Sequence, residues 1–119
     1  MSNARKILII DDDDDLRESL SEQLTLHEEF ETALAPTATE GLKLARNGHV
    51  DLILLDVGLP DVDGREACKL FRRGGFKGPI VMLTGQATDS DTILGLESGA
   101  NDYVTKPFKL GVLLARIRA

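Results

Sequence analysis

Three uninterrupted apolar runs constrain this chain more than any other feature: ILII (7–10), LILL (52–55) and IVML (80–83), each bounded by polar or turn residues. A strand with one wet face alternates polar and apolar side chains. Runs without alternation belong to strands covered on both faces, as in a parallel sheet. Two weaker candidates, FETALA (30–35) and YV (103–104), bring the set to five. Helical periodicity fills the gaps. Leu16, Leu20 and Leu24 recur at i, i+4, i+8; Ala67, Leu70 and Phe71 follow i, i+3, i+4; Leu110, Leu113, Leu114 and Ile117 form a stripe near the end. Thr37 to Glu40 spells a capping box, which places a helix start near residue 38, and Asp63 can cap another helix. DSDTILGLES (89–98) carries Thr92 and Gly95, both poor helix formers, before Gly99; it is expected to be the least stable helix. Strands alternating with helices imply an α/β fold, because parallel neighbours need crossover connections. The expectation is a single doubly wound (βα)5 domain over residues 1–119, with a parallel five-stranded sheet in the order 2-1-3-4-5.

Composition agrees. The 119 residues are 42% hydrophobic, enough for one core, but only 4% aromatic and without Trp, so that core must come from Leu, Ile, Val and Ala. A formal net charge of -6 argues against this segment itself gripping a nucleic-acid backbone or an anionic membrane. Cys68 is the one cysteine, so no internal disulfide can form and a reducing cytoplasm is the expected compartment. No apolar run approaches the ~20 residues of a membrane span. MSNARK leads into too few apolar residues for a signal-peptide core.

Chemistry is expected at the carboxyl ends of the strands, where open α/β sheets bind ligands. Asp11 and Asp12 follow ILII, Asp56 follows LILL, Thr84 follows IVML, and Lys106 with Pro107 follows YVT. Two carboxylates about 4 Å apart repel by roughly 4 kcal/mol at an effective dielectric near 20. A divalent cation would remove that conflict, and an oxygen-only donor set suits a hard ion, Mg²⁺ or Ca²⁺. His27 and His49 lack metal-ligand spacing and are expected at the surface. Asp13, Asp14 and Asp15 are explained more simply as helix N-terminal carboxylates. An EF-hand reading of Asp11, Asp13, Asp15 and Glu22 fails on Leu16, which stands where the loop needs Gly. Taken singly, Asp56 could be a turn former, Lys106 a solvated loop residue and Thr84 a strand-end cap. Together they suit phosphoryl chemistry. A carboxylate beside a hard cation is a competent nucleophile toward phosphorus, and the resulting aspartyl phosphate needs counter-charge and donors, which Lys106 and Thr84 supply.

Over its whole length the chain resembles a response-regulator receiver domain of the CheY-like, flavodoxin-like kind. IIDDDDDLR is similar to that family's acidic pair, LLDVGLPDVDG to its phosphoacceptor loop, MLTG to its switch strand and DYVTKPF to its lysine-proline signature. The resemblance implies that Asp56 accepts a phosphoryl group from a sensor histidine kinase. It further implies that Asp12 binds Mg²⁺, with Asp11 acting through water or as a second ligand and the Gly58 carbonyl completing the set. Lys106 would pair with the phosphate, aimed by a cis bond before Pro107, while Thr84 moves toward it and Tyr103 turns inward. The face made by segment 89–98, the fifth strand and the last helix would then carry the output.

The ending LLARIRA resembles receivers of winged-helix (OmpR/PhoB-like) DNA-binding regulators, which dimerise through that face. The resemblance pairs Asp102 with Arg116 and Glu97 with Arg118 between subunits, while Leu94 and Val112 stand where opposite charges are usual. The chain is therefore expected to be a piece of a longer regulator that meets DNA only through a further domain, and to catalyse nothing beyond its own phosphorylation and dephosphorylation. The resemblance further implies that Gly58 and Gln86 would line the phosphate and affect its lifetime. A stand-alone signalling receiver is the alternative. An aspartyl-phosphate hydrolase is a poorer one, since Gly58 occupies the place of the second Asp such enzymes use. No Gly-rich phosphate loop supports a nucleotide switch or a flavin carrier.

Overall fold

The computed structural model describes residues 4–85 and 97–119. Within them the order of elements is β1 (Arg5–Ile10), α1 (Asp14–Thr25), β2 (Phe30–Ala35), α2 (Ala38–Asn47), β3 (Leu52–Asp56), α3 (Gly64–Arg73), β4 (Ile80–Thr84), β5 (Asp102–Thr105) and α4 (Leu110–Arg118). All five strands are parallel and lie in the order β2-β1-β3-β4-β5. The expected helix over 89–98 falls outside the described residues except for its last two positions.

The apolar runs are apolar throughout because both sheet faces are roofed. Ile7 and Ile9 of β1 join one core layer with Leu52, Leu54, Val81 and Leu83, under α1 and α4; Leu8 and Ile10 join the other with Ile53, Leu55, Ile80 and Met82, under α2 and α3. Ile7 to Ile10 and Ile53 to Leu55 are wholly excluded from solvent. Each such side chain contributes about 1.5–3 kcal/mol relative to exposure.

The capping expectations hold: Thr37 accepts from the Glu40 amide at 3.2 Å and Asp63 from the Arg65 amide at 2.8 Å. Asp13 caps α1 by accepting from Leu16, with Asp14 and Asp15 in the first turn against the positive end of the helix dipole. The stripe expected on α3 is met at Ala67 and Phe71 but not at Leu70. Leu70 is 37% exposed, and Cys68 is buried with Ala67 and Phe71. At about 100° per residue the buried stripe of α3 is centred on positions 64, 67, 68 and 71, which leaves position 70 at its edge.

The entry to β5 is pinned from α3. The Arg72 guanidinium donates to the carbonyls of Gly99 (2.8 and 3.0 Å), Gly78 (2.7 Å) and Phe76 (3.0 Å), and to Asn101 Oδ1 at 2.8 Å. Asn101 Oδ1 also accepts the Ile80 amide at 3.0 Å, which locks β4 and β5 in register.

Candidate functional site

Strand register assembles the site. Ile10 of β1 pairs with Leu55 of β3, so the next residues along, Asp11 and Asp56, emerge side by side. Asp56 pairs with Leu83, which places Thr84 one step beyond it, and Thr84 pairs with Thr105, the residue before Lys106. Two carboxylates, a hydroxyl and an ammonium therefore reach one rim from the ends of β1, β3, β4 and β5.

Asp11 is fully buried. Its Oδ1 accepts the Asp13 amide at 3.0 Å, its carbonyl accepts from Arg17 at 2.6 Å, and its Oδ2 accepts from Lys106 Nζ at 2.8 Å. Lys106 Nζ also donates to Asp56 Oδ1 at 3.2 Å. Asp11 thus does two jobs: one oxygen shapes the start of α1 and the other faces the cluster. Asp12 is exposed beside it. Asp11, Asp12 and Asp56 each offer a carboxylate oxygen, and the three atoms lie within 4.8 Å of one another. Among the described residues no other group of His, Cys, Asp and Glu side chains converges this way.

Protein groups alone leave the charges of this cluster unbalanced. Burial and the neighbouring Asp11 charge push the Asp56 carboxyl above its ordinary value, against the pull of Lys106 and the Gly58 amide. Burial works to depress Lys106, but its bonds and charge contacts with Asp11 and Asp56 outweigh this and raise it. One ammonium thus serves two buried carboxylates, with a third acid nearby. That donor set, all oxygen and carrying an excess of negative charge, fits a hard divalent cation such as Mg²⁺.

Thr84 is buried, and its carbonyl accepts the Lys106 amide at 2.6 Å. The Lys106–Pro107 peptide bond is cis, as the resemblance implied. Tyr103 is half-buried against the α2/α3 core layer and pairs with Met82, so it shares a sheet face with Thr84. Gly58 is exposed in the loop after β3.

The expected interface residues sit apart from this cluster. Arg116 pairs with Asp102 of the same chain at 3.4 Å, and Arg118 pairs with Glu29 and lies 5.8 Å from the Phe30 ring centroid. Glu97 and Val112 are exposed, and Leu94 and Gln86 lie outside the described residues. His49 is exposed and pairs with Asp51, whereas His27 is half-buried and meets Phe30 edge-on. No described helix is long and apolar enough to cross a membrane.

Sequence reasoning missed the supports of the loop that follows β3. Gly64 packs so closely beneath it that a Cβ there would lie 2.5 Å from the Asp56 carbonyl oxygen and 2.6 Å from Val57 Cα. Its amide also donates to the Val57 carbonyl at 2.8 Å. Asp61 reaches across to α2 and accepts the amides of Ala38 (3.1 Å) and Thr39 (2.9 Å) and the Thr39 hydroxyl (2.7 Å). The run of turn residues around Asp61 was a signal for a loop, but nothing local to it pointed toward α2.

A cleft of about 500 Å³ lies at the opposite end of the sheet, lined by Leu42, Arg46, His49, Phe71, Phe76 and Lys77 among others, and contains none of these groups. The acid cluster and Lys106 lie instead at the carboxyl ends of the strands.

Comparison with known proteins agrees with this geometry. Residues 7–118 match the family described as Response regulator receiver domain. The chain is 48% identical over 113 residues to the transcriptional regulatory protein AfsQ1 of Streptomyces coelicolor, covering 95% of this chain and 49% of that protein. It is 44% identical over 118 residues to the DNA-binding response regulator MtrA of Mycobacterium tuberculosis, covering 97% of this chain and 50% of that one. Among solved structures, the BeF3-activated N-terminal receiver domain of Klebsiella pneumoniae RstA superimposes with a TM-score of 0.89 at 36% identity, covering 96% of each chain. The chain spans about half the length of the curated relatives it matches.

Proposed function

This chain belongs to the response regulator receiver domain family, and on that premise we propose that Asp56 is its phosphoacceptor, charged by a sensor histidine kinase. The observation that carries the reading is the cluster itself: Asp11, Asp12 and Asp56 with oxygens within 4.8 Å, and Lys106 Nζ bonded to two of them.

An Asp56 carboxylate oxygen attacks the phosphorus of the donor; the P–N bond to the kinase histidine breaks as the O–P bond forms, and the histidine nitrogen leaves with its electron pair. Asp12, Asp11, Asp56 and the Gly58 carbonyl would hold Mg²⁺, which when bound would supply Lewis-acid neutralisation of negative charge on the phosphoryl group. Lys106 is pre-placed beside the acceptor, so its ammonium need only exchange a carboxylate partner for a phosphate oxygen. Thr84, at the end of the neighbouring strand β4, offers its hydroxyl as a further donor. Drawing Thr84 in would vacate space on the sheet face it shares with Tyr103. The phosphate biases the equilibrium only through contacts that differ between the two states.

The output on this reading is homodimerisation through segment 89–98, β5 and α4. Asp102, Arg116, Glu97 and Arg118 would lie at that face, with Leu94 and Val112 making an apolar contact. Arg116 and Arg118 already have intrachain partners, so an intersubunit pair would require exchange. AfsQ1 and MtrA are described as transcriptional and DNA-binding regulators; similarity to them supports a role in transcription exercised through a DNA-binding domain outside residues 1–119. The expected setting is cytoplasmic and independent of membranes. Incubation with a small acyl phosphate and Mg²⁺, followed by intact mass measurement, tests the reading. One added phosphoryl group is expected, absent with EDTA and absent in Asp56→Asn; uptake by that variant at the wild-type rate would overturn it.

A further inference from the structure

The loop between Asp56 and α3 must present the Gly58 carbonyl at a fixed place if it is to serve as a ligand. Its two ends are secured by the Val57 amide on the Leu83 carbonyl at 3.0 Å and the Gly64 amide on the Val57 carbonyl at 2.8 Å. Between them Leu59 is buried in the core and Asp63 bonds back to Arg65 of α3, while the Asp61 side chain reaches a different helix. That carboxylate leaves its own element and caps α2, taking two backbone amides and the Thr39 hydroxyl. The helix already has its own cap in Thr37, which takes the Glu40 amide. A second cap contributed from another loop adds to the helix, but its other consequence is to tether the loop.

We infer that Asp61 is a positioning residue for the metal site, tying the loop that carries Gly58 to the N-terminus of α2. The inference rests on the reading of Gly58 as a ligand. The tie is strong for a solvent-facing group: although desolvation works to raise the Asp61 carboxyl, the Thr39 hydroxyl and the amides of Thr39 and Ala38 hold it at about 2. It therefore stays ionised, and the tie intact, throughout the physiological range. Groups that orient ligands are worth roughly tenfold or more in metal affinity when removed.

Calorimetric titration of the purified chain with Mg²⁺, beside thermal unfolding, tests this with three variants. Asp61→Ala removes the tie. Thr37→Ala removes the other cap of α2 and leaves the loop alone. Thr39→Val keeps the Asp61 charge and deletes only the hydroxyl bond. Asp61→Ala is expected to raise the Mg²⁺ Kd roughly tenfold and Thr39→Val to raise it by a smaller factor. Thr37→Ala should lower Tm while leaving Kd within about twofold of wild type. Equal Kd for Asp61→Ala and wild type, or as large a rise in Thr37→Ala, overturns the inference while leaving the phosphoacceptor reading intact. Should Asp61→Ala not fold, an unchanged Kd in Thr39→Val overturns it alone. Absence of Mg²⁺ binding by the wild type would remove both the inference and the metal site beneath it.

Discussion

At Asp56 the fold maintains an unfavourable charge. Burial and Asp11 raise its pKa, so between the ordinary carboxylate value and the raised folded value the native chain holds a proton that the unfolded chain has released. Stability therefore falls as pH rises through that window, and above it the full cost of the charge is present. Asp56→Asn should accordingly stabilise the metal-free protein at pH 7 by roughly 1 kcal/mol, or about 4 °C in Tm, with the difference vanishing below about pH 4. Thermal melts across that range check this; a constant or inverted difference would mean the cluster is already neutralised. Much at this scale was readable from residue type, because acids at the ends of two apolar runs have few structural uses. The link from Lys106 to Asp11 was readable only through the topology, since the pair is 95 residues apart. The reach of Asp61 to Thr39 was not readable at all, since it depends on how close one loop passes to another element.

Among the elements, the strands were the most transparent. A strand roofed on both sides has no polar position, so ILII, LILL and IVML could be nothing else, while the edge strand FETALA kept an intermittent pattern because part of it faces solvent. Helix α3 was harder. Ala67, Phe71 and the small Cys68 lie against the sheet as expected, yet Leu70, which looked like core, sits at the edge of the stripe. The Arg72 staple also escaped notice, because a basic side chain near a helix C-terminus reads first as a partner for the helix dipole. Its bonds to three carbonyls and Asn101 hold the approach to β5 against α3. Arg72→Ala should cost about 2 kcal/mol by urea unfolding, since carbonyls shielded by the side chain lose their donor. Arg72→Lys should recover little of this, because a single ammonium cannot reproduce a planar fork of donors. Full recovery in the lysine variant would assign the effect to charge alone.

For the whole molecule the question is how a change at one rim reaches a face along the sheet edge. Thr84 and Tyr103 stand on adjacent strands with their side chains on one side, and β5 leads directly through Lys106 to α4. An added charge of about -1.5 to -2 at Asp56 is thus two strands from the proposed output surface. Thr84→Ala should leave phosphorylation measurable while weakening phosphate-dependent dimerisation severalfold; sedimentation showing wild-type dimer affinity in the phosphorylated variant would break the link between them. The central claim, that the acid cluster makes Asp56 and no other residue the acceptor, is tested most directly by borohydride reduction of the phosphorylated chain followed by peptide sequencing, since an acyl phosphate is reduced to an alcohol and leaves homoserine at its site. Homoserine at position 56 alone is the predicted result; homoserine at 11 or 12, or none anywhere in a chain that has gained a phosphoryl group, would contradict it.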